Sequence, residues 1–334
     1  MTGIIVADRT SKTFRQRRRY PGLLGSFKGL ISPEYTEIKA VDEISFTIGA
    51  GEAVGYLGPN GAGKSTMIKM MTGILVPSSG GVSVLGRVPH KERMANAREI
   101  GVVFGQRSQL WWDLPVRDSF ELSRHIYDIA QSRFDENLGM LCDMLGISPF
   151  LDRPVRQLSL GQRMRAEIAM ALLHDPKILF LDEPTIGLDV MAKDVVRKFL
   201  SQINKERGVT IILTTHDLQD IEQICPRLIM VDDGKLLFDG ELTKLRTAFG
   251  ARRRLTLEFK SDPGDVLLSC ATPVSGEGEG MTRHFLLDND KTSLVEVLTE
   301  LGDGYDLHDV SLDAPDIEEV IRTYYQNRLA VEAA

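Results

Sequence analysis

The sequence predicts an α/β protein with a parallel or mixed sheet, followed by a small α+β domain. Short apolar runs alternate with longer helical patterns over most of the chain, which is typical of a sheet with helices on its faces. The pattern changes near residue 250, and 334 residues are too many for one typical domain. We therefore expect a main domain over 1–248 and an accessory domain over 249–334.

Four buried strands are predicted in the main domain, each an apolar run that ends in polar or glycine residues. They are "EAVGYLG" at 52–58, "IGVVFGQ" at 100–106, "KILFLDE" at 177–183 and "VTIILTTH" at 209–216. Helices are predicted in "KSTMIKMMTG", "SFELSRHIYDIA", "LGQRMRAEIAMALLH" and "VMAKDVVRKFLSQINKER". Ligands of open α/β sheets bind beyond the carboxyl ends of the strands, so we expect the functional site at those endings.

The last part of the chain predicts a few strands and helices. Alternating apolar residues predict strands in "RRLTLEF" and "TRHFLLD", separated by the turn "SGEGEG". Helices are predicted in "SLVEVLTEL" and "DIEEVIRTYYQNRL". No group of catalytic residues stands out in this part, and we expect it to stabilise a dimer.

The composition is that of an ordinary globular protein, with 43% hydrophobic and 26% charged residues. A net charge of −7 argues against nucleic acid as the main partner, because duplex-binding proteins usually carry a basic face. No apolar run reaches the roughly 18 residues of a membrane span, and no secretory signal is expected at the start. The three separated cysteines, Cys142, Cys225 and Cys270, are expected to be reduced thiols of a cytosolic protein.

The strongest motif is "GPNGAGKST" at 58–66, which matches the phosphate-loop pattern between a predicted strand and a predicted helix. Its glycines let the backbone wrap a phosphate, and backbone N–H groups at the start of the helix bind the negative charge. In such a loop Lys64 reaches the outer phosphates and the Ser65 hydroxyl binds Mg²⁺. The candidate nucleotide-binding residues of the motif are Gly58, Asn60, Gly61, Ala62, Gly63, Lys64, Ser65 and Thr66.

Two carboxylates follow the apolar run at 178–181. A buried strand that ends in Asp182 suits a carboxylate that holds Mg²⁺. Glu183 is then placed to orient or deprotonate a water molecule that attacks the terminal phosphate. In isolation, Glu183 would equally be a plain charge at the end of a strand.

Two further polar residues end predicted strands. His216 ends the next apolar strand after Asp182, so it should lie near the same phosphates, where it can donate to the γ-phosphate and to the attacking water. Gln106 can bind Mg²⁺ or water without adding charge. A single histidine at a strand end is more often structural, and a glutamine there is common.

The run "LSLGQ" at 158–162 opens a predicted helix and suits a small anion, although Leu160 is bulky and apolar for such a site. With "GPNGAGKST", Gln106, "ILFLDEP", "GLD" at 187–189 and His216, all in order, the chain over about 4–245 resembles the ATPase subunits of ATP-binding cassette (ABC) transporters. The resemblance implies a phosphate-loop NTPase fold with a helical signature subdomain. It also implies ATP and Mg²⁺ as ligands.

Two domains of this family face each other head to tail around two ATP molecules. The resemblance implies that Ser159, Gly161 and Gln162 contact the ATP held by the opposite subunit, and that the residue at Leu160 contributes mainly its backbone. Asp189 would contact the opposite subunit, and it would equally serve as the N-cap of the next helix. A homodimer is expected, because the set of motifs is complete.

The residue that stacks on adenine should lie upstream of the phosphate loop in this family. Tyr35 fits the family spacing and is our expectation, while Phe14 stays open because an insertion separates the two. This basic insertion, with glycine and proline, is predicted at about 15–34 and carries Arg15, Arg17, Arg18 and Arg19. A solvated loop is its ordinary interpretation. Contact with anionic lipid, worth about 1 kcal/mol per basic residue, is the alternative.

The run "DEPTIGLD", the single phosphate loop, the lack of a fused membrane segment and the α+β tail resemble the daunorubicin-resistance-type exporter ATPases. That resemblance implies export of a drug, lipid or polysaccharide-like substrate through separate membrane subunits. It places the ATPase at the cytoplasmic face of the inner membrane. The adjacent Trp111 and Trp112 lie in the region that would meet a membrane subunit, and burial of one of them in the core is the alternative.

Three other functions share some of these features. An ABC ATPase that acts on nucleic acid or ribosomes usually has paired cassettes, long coiled coils or zinc clusters, and the sequence indicates none of them. A phosphate-loop kinase would have no use for "LSLGQ". A regulatory module with an inactive ATPase is disfavoured, because Glu183 and His216 are both present.

Overall fold

A computed structural model describes residues 3–17, 35–105, 107–215, 217–248, 253–274, 280–287, 293–313 and 321. The chain divides into two compact units, Met1–Gly240 and Glu241–Ala334. The domain boundary expected after residue 248 adjoins residues 249–252, which lie outside the described ranges. Within those ranges, no helix has the length and apolar character needed to cross a bilayer.

The first unit contains both strands and helices. In chain order they are β1 (Ile5–Arg17), β2 (Tyr35–Ile48), β3 (Ala53–Leu57), α1 (Lys64–Met71), β4 (Ser79–Val84), α2 (Arg93–Ala97), β5 (Ile100–Phe104), α3 (Val116–Tyr127), α4 (Gln131–Leu145), α5 (Leu160–Leu172), β6 (Ile178–Asp182), α6 (Val190–Arg207), β7 (Thr210–Thr214), α7 (Leu218–Ile224), β8 (Arg227–Asp232) and β9 (Lys235–Glu241). Two short 3₁₀ turns, Ser148–Phe150 and Val155–Gln157, precede α5.

The larger sheet of the first unit has six strands in the order β5-β6-β7-β3-β8-β9. Neighbouring strands from β5 to β8 run parallel, which confirms the predicted fold class. The four strands predicted from the sequence are β3, β5, β6 and β7, and they lie side by side. Their carboxyl ends therefore share one edge of the sheet. A second, antiparallel sheet has the order β2-β1-β4.

The middle of the larger sheet is buried on both faces. Residues 178–181 of β6 and 211–213 of β7 have no exposed surface. Continuous apolar runs suit parallel strands that are covered on both faces. Met67 and Ile68 of α1 belong to the same core cluster as Phe180 of β6. This packing holds the start of α1, and the loop before it, beside the strand ends.

Side-chain caps begin two helices that follow predicted motifs. Ser159 Oγ accepts a hydrogen bond from the Gln162 backbone N at 3.2 Å, and Gln162 Oε1 accepts one from the Ser159 N at 3.0 Å. At the start of α6, Asp189 Oδ1 accepts one from the Ala192 N at 2.8 Å. The N-cap considered for Asp189 is therefore present. Such caps stabilise a helix by about 1 kcal/mol each.

Strands β1 and β2 form a long antiparallel pair in which Arg15 lies opposite Glu37 and Arg17 opposite Tyr35. Arg15 Nε lies 2.9 Å from Glu37 Oε1. Residues 15–17 thus belong to a strand, although a solvated loop was the ordinary interpretation of the insertion predicted at about 15–34. Arg18 and Arg19 lie outside the described ranges.

The second unit is a sheet covered by a helix. Its elements are α8 (Leu242–Ala248), β10 (Arg253–Phe259), β11 (Thr272–Pro273), β12 (Thr282–Leu287), α9 (Leu294–Leu301) and β13 (Leu307–Asp313). The antiparallel strand order is β11-β12-β10-β13, and Leu255, Phe285 and Val297 share one core. β10, β12 and α9 were predicted and β13 was not. The predicted turn at 275–280 and last helix at 316–329 lie almost wholly outside the described ranges.

None of the three cysteines forms a disulfide, in agreement with the expected reduced thiols. Burial raises the pKa of Cys142 and of Cys225. Burial and the neighbouring Glu300 raise the pKa of Cys270 to about 11. Thiolates are therefore scarce at neutral pH, so these side chains are poor nucleophiles and poor metal ligands.

Candidate functional site

The phosphate-loop motif lies between β3 and α1, where its glycines shape the backbone. Gly61 and Gly63 have φ angles of 90° and 93°, a left-handed conformation that favours glycine. A Cβ atom on Gly63 would overlap the carbonyl oxygen of Ala40 in β2. The loop can therefore take this compact path only with glycine at that position.

Lys64 is buried inside the loop that it follows. Its Nζ donates to the carbonyl oxygens of Gly58 at 2.7 Å and Pro59 at 3.0 Å. Burial lowers the pKa of Lys64, while the carboxylates of Glu183 and Asp182 act in the opposite direction. The ammonium group is thus held where the loop curves, close to two carboxylates.

Three elements bring oxygen atoms together at the end of β6. Ser65 Oγ, from α1, donates to Asp182 Oδ1 at 3.2 Å, and Thr214 Oγ1, from β7, donates to the same atom at 2.7 Å. Mg²⁺ prefers oxygen ligands such as hydroxyl and carboxylate groups, so the pair of Ser65 and Asp182 fits that ion. The structure thereby brings together two residues that are far apart in the sequence.

Glu183 has an unusual backbone conformation for its residue type. Its φ angle is 56°, and its N–H is held by Thr214, whose carbonyl oxygen lies at 2.9 Å. A left-handed residue other than glycine costs about 1–3 kcal/mol and occurs often at functional sites. The turn directs the chain away from β6 immediately after Asp182.

Ser65, Asp182 and Glu183 line one cleft of about 590 Å³. Its lining comprises Asn60, Ser65, Lys69, Ile74, Phe104, Gly105, Arg107, Asp182, Glu183 and Ile186. The cleft therefore combines two residues of the phosphate-loop motif, two candidate Mg²⁺ ligands and the candidate base. Its volume and its mixture of charged, polar and apolar side chains are suited to a small ligand.

Gln106 and His216 lie outside the described ranges, although both neighbours of each are described. The Gly105 N donates to the Asp182 carbonyl oxygen at 2.8 Å, so the end of β5 meets the end of β6. Thr215 is buried beyond β7, which pairs in parallel with β6. The strand ends that precede these two residues thus converge on Asp182.

None of the "LSLGQ" residues lines the cleft as the described residues define it, and Gly161 among them is buried. Ser159 and Leu160 are exposed, Leu160 by 39%. Leu160 Cδ2 lies 3.0 Å from the position that a Cβ atom on Gly187 would take. A Cβ atom on Gly161 would lie 2.8 Å from Ala192 Cβ. Leu160 therefore packs on its own chain, and Gly161 allows α5 to approach α6 closely.

Both candidates for adenine stacking lie on the antiparallel sheet. Tyr35 begins β2 and is 59% exposed, while Phe14 in β1 is 39% exposed and lies opposite Ile38. Exposure of the ring suits stacking with a base in either case. The choice between Tyr35 and Phe14 stays open.

Trp111 and Trp112 are 55% and 54% exposed, so the alternative that one of them lies in the core is wrong. Their backbone is nevertheless well held. The Trp111 N donates to Ser119 Oγ at 3.1 Å, and the Trp112 carbonyl oxygen accepts from the Arg156 N at 3.0 Å. Two large side chains are thus presented on an ordered loop, which is how anchor residues of an interface are displayed.

Sequence reasoning missed a buried ionic network around Asp220. Asp220 has no exposed surface and accepts from Arg197 Nε at 2.5 Å, from Thr215 Oγ1 at 2.9 Å and from Thr185 Oγ1. Arg197 Nη2 also lies 3.0 Å from Asp217 Oδ2. The network joins α6 to the segments beside Glu183 and His216. The available signal was an arginine among the buried apolar positions of α6.

Loss of the Asp220 carboxylate should destabilise the first unit. We expect Asp220→Ala to lower the free energy of unfolding by about 3 kcal/mol, because the buried Arg197 would lose its partner at Nε, although its contact with the partly exposed Asp217 remains. Denaturant unfolding followed by far-UV circular dichroism measures the change. Asp152→Ala, which removes an exposed ion pair with Arg117, should cost less than about 1 kcal/mol. Equal losses in both variants would contradict this role of Asp220.

Comparison with known proteins agrees with this geometry. The family model described as "ABC transporter" matches residues 41–186. The ABC transporter ATP-binding protein NatA of Bacillus subtilis (strain 168) is 34% identical over 208 residues, which are 62% of this chain and 84% of NatA. The chain belongs to the ABC transporter ATP-binding proteins.

Other relatives of this ABC ATPase carry names for opposite directions of transport. The Nod factor export ATP-binding protein I of Sinorhizobium fredii is 37% identical over 211 residues, covering 63% of this chain and 61% of that protein. The methionine import ATP-binding protein MetN 2 of Bacillus licheniformis is 30% identical over 295 residues, covering 87% and 81%. The family is therefore certain, while the direction of transport does not follow from it.

The fold of the ABC ATPase matches solved structures of the same family. The dimeric post-hydrolysis ATP-binding cassette MJ0796, bound to ADP and Pi, has a TM-score of 0.59 and 25% identity, and the match covers 71% of this chain and 98% of that one. The predicted phosphate-loop NTPase fold of the ABC type is thus confirmed. As an ABC ATPase, the chain binds and hydrolyses ATP.

Proposed function

We propose that this ABC ATPase hydrolyses Mg²⁺-ATP in a head-to-tail homodimer and drives export through separate membrane subunits. The observation that carries the proposal is the division of its motifs between two places. Two residues of the phosphate-loop motif, Asn60 and Ser65, line one cleft together with Asp182 and Glu183, whereas Ser159 is exposed outside it. A second copy, turned head to tail, would supply the "LSLGQ" residues that each cleft lacks.

In the cleft, the phosphate loop binds the phosphates and Lys64 contacts the outer ones. The residues that would hold Mg²⁺ are Ser65, Asp182 and Gln106, and the ion would supply positive charge that offsets the negative charge of the phosphates. Glu183 orients and deprotonates the attacking water, and His216 donates to the γ-phosphate. The remaining loop contacts come from Gly58, Asn60, Gly61, Ala62, Gly63 and Thr66, with Tyr35 on the adenine.

Across the dimer, Ser159 Oγ, the Gly161 N–H and Gln162 bind the γ-phosphate of the ATP in the second copy. The start of α5 is suited to this contact, because backbone N–H groups at a helix N-terminus favour an anion. Asp189 contacts the second copy near its own phosphate loop. ATP then favours the closed dimer by its higher affinity for that state, and hydrolysis releases the pair.

Export and a place on the cytoplasmic face of the inner membrane are supported by the "DEPTIGLD" run and the α+β tail. The Nod factor exporter among the relatives supports the same direction. Trp111 and Trp112 supply the contact with the membrane subunit, since both are exposed on an ordered loop. A drug, lipid or polysaccharide-like molecule is the substrate class that the motifs favour.

Docking on the membrane subunits is tested with the two tryptophans. We expect the double variant Trp111→Ala, Trp112→Ala to bind at least about tenfold more weakly to salt-washed, inside-out vesicles of the native membrane. Tryptophans that become buried in an interface are typical hot spots. Co-sedimentation measures the binding. The control is Ile126→Ala, which removes an exposed apolar side chain on α3 and should leave binding to the vesicles unchanged.

Trypsin treatment of the vesicles separates a protein partner from a lipid partner. We expect binding to be lost after digestion of the membrane proteins. Binding that survives digestion would assign the contact to lipid, which the basic residues from Arg15 onward would supply. Unchanged binding of the double variant would contradict the role of the tryptophans.

A further inference from the structure

A carboxylate is buried in the middle of the helix that "LSLGQ" opens. Glu167 of α5 is 4% exposed, and Ala166, Ile168 and Ala169 around it have no exposed surface. It lies eight residues after Ser159, which is about 12 Å along a helix. A buried carboxylate is costly unless hydrogen bonds satisfy it, so its partners identify what it holds.

The partners of Glu167 all belong to the segment directly after Gln106. Oε1 accepts from Ser108 Oγ and, at 3.2 Å, from the Gln109 N, and Oε2 accepts from the Gln109 N at 3.0 Å. Burial raises the pKa of Glu167, and hydrogen bonds from the loop oppose the rise. One side chain on α5 thus binds two consecutive residues of a loop, Ser108 and Gln109.

The same loop is also tied to the sheet. Gln109 donates from its side chain to the carbonyl oxygen of Val102 in β5, while its backbone N–H bonds Glu167. The next residue after Leu110 is Trp111, and its backbone N–H donates to Ser119 Oγ of α3. Residues 108–110 therefore form a joint between β5, which leads to Gln106, and α5, whose N-cap is Ser159. The exposed tryptophans follow this joint without a gap.

We propose that Glu167 is a positioning residue that makes α5 follow the 108–110 loop when ATP binds, and so couples the cleft and the tryptophans to Ser159. The inference rests on the proposed function, because it assumes that ATP closes two copies through Ser159. Hydrogen bonds to a buried carboxylate are directional and charge-assisted, so they hold the loop in one position relative to α5. The loop cannot shift without carrying α5 along or leaving the buried Glu167 carboxylate without its partners.

Trp111 and Trp112 are the two tryptophans of the chain and directly follow the 108–110 loop, so tryptophan fluorescence reports changes in the position of this loop. Tryptophan emission and iodide quenching are measured while Mg²⁺ and the non-hydrolysable analogue AMP-PNP are titrated. Affinity is measured with a fluorescent ATP analogue, and kcat by phosphate release. We expect the wild-type emission to change with AMP-PNP.

In Glu167→Ala we expect nucleotide affinity within about twofold of wild type, a kcat lower by about tenfold or more, and no AMP-PNP-dependent change in emission. Glu167→Gln keeps one acceptor oxygen and should recover an intermediate response. If Glu167→Ala does not fold, the same measurements of kcat and emission on Glu167→Gln test the inference. Asn137→Ala removes another fully buried polar side chain, on α4, and should lower stability while kcat and the emission response stay normal.

A normal kcat and emission response in Glu167→Ala would overturn the inference. So would an equal loss in Asn137→Ala, which would show a general effect of destabilisation, or a wild-type emission that ignores AMP-PNP. Failure of the wild type to hydrolyse ATP would instead contradict the proposed function. The two failures are therefore distinguishable in one set of measurements.

Discussion

Glu183→Gln should lower the rate of ATP hydrolysis by about 10²–10⁴-fold, which is the range for loss of a general base. The amide keeps the size of the side chain but cannot accept the proton of the attacking water. ATP affinity should stay within a few-fold, because Lys64 and the loop carbonyls that hold it are untouched. Phosphate release measures the rate, and a fluorescent ATP analogue measures the affinity.

The matched control for this change is Glu99→Gln. Glu99 directly precedes β5, so it lies at the amino end of that strand, whereas the cleft lies at the carboxyl ends. Its Oε2 lies 2.9 Å from Lys177 Nζ. The control should hydrolyse ATP at close to the wild-type rate. Comparable rates for Glu183→Gln and wild type would refute Glu183 as the base. Glu183 would then be interpreted as a plain charge at the end of a strand.

Ser159→Arg should abolish hydrolysis, because a long cation on the exposed start of α5 would prevent the approach of the second copy. Loss of the cap to the Gln162 N adds about 1 kcal/mol of helix destabilisation. Size-exclusion chromatography with ATP, in the Glu183→Gln background, should show a monomer. Hydrolysis within tenfold of wild type would contradict a role of Ser159 across the dimer.

Leu160→Gly is the neighbouring control, and its rate should stay within several-fold of wild type. The Leu160 side chain packs beside Gly187 of the same chain, so its removal leaves Ser159 Oγ and the Gly161 N–H in place. Glycine in a helix costs at most about 1 kcal/mol. A large loss of activity in this variant would show that the packing of Leu160 on Gly187 itself controls closure.

The local sequence predicted most of the elements that surround the cleft. The phosphate loop was readable because it needs glycines at positive φ, at 61 and 63, between a strand and a helix. β6 and β7 were readable because strands buried on both faces need unbroken apolar runs, such as 178–181. Ser65 and Asp182 were each expected to bind Mg²⁺, and their side-chain oxygens lie 3.2 Å apart.

Contacts between distant segments were decided only by the tertiary structure. Nothing near Glu167 in the sequence indicates that Ser108 and Gln109 bond to it, and nothing near Asp220 indicates Arg197. The exposure of both tryptophans also depends on how the 108–114 loop is held by α3 and α5. Periodicity and motifs report the needs of one element at a time, whereas a buried charge is satisfied by whichever segment folding brings beside it.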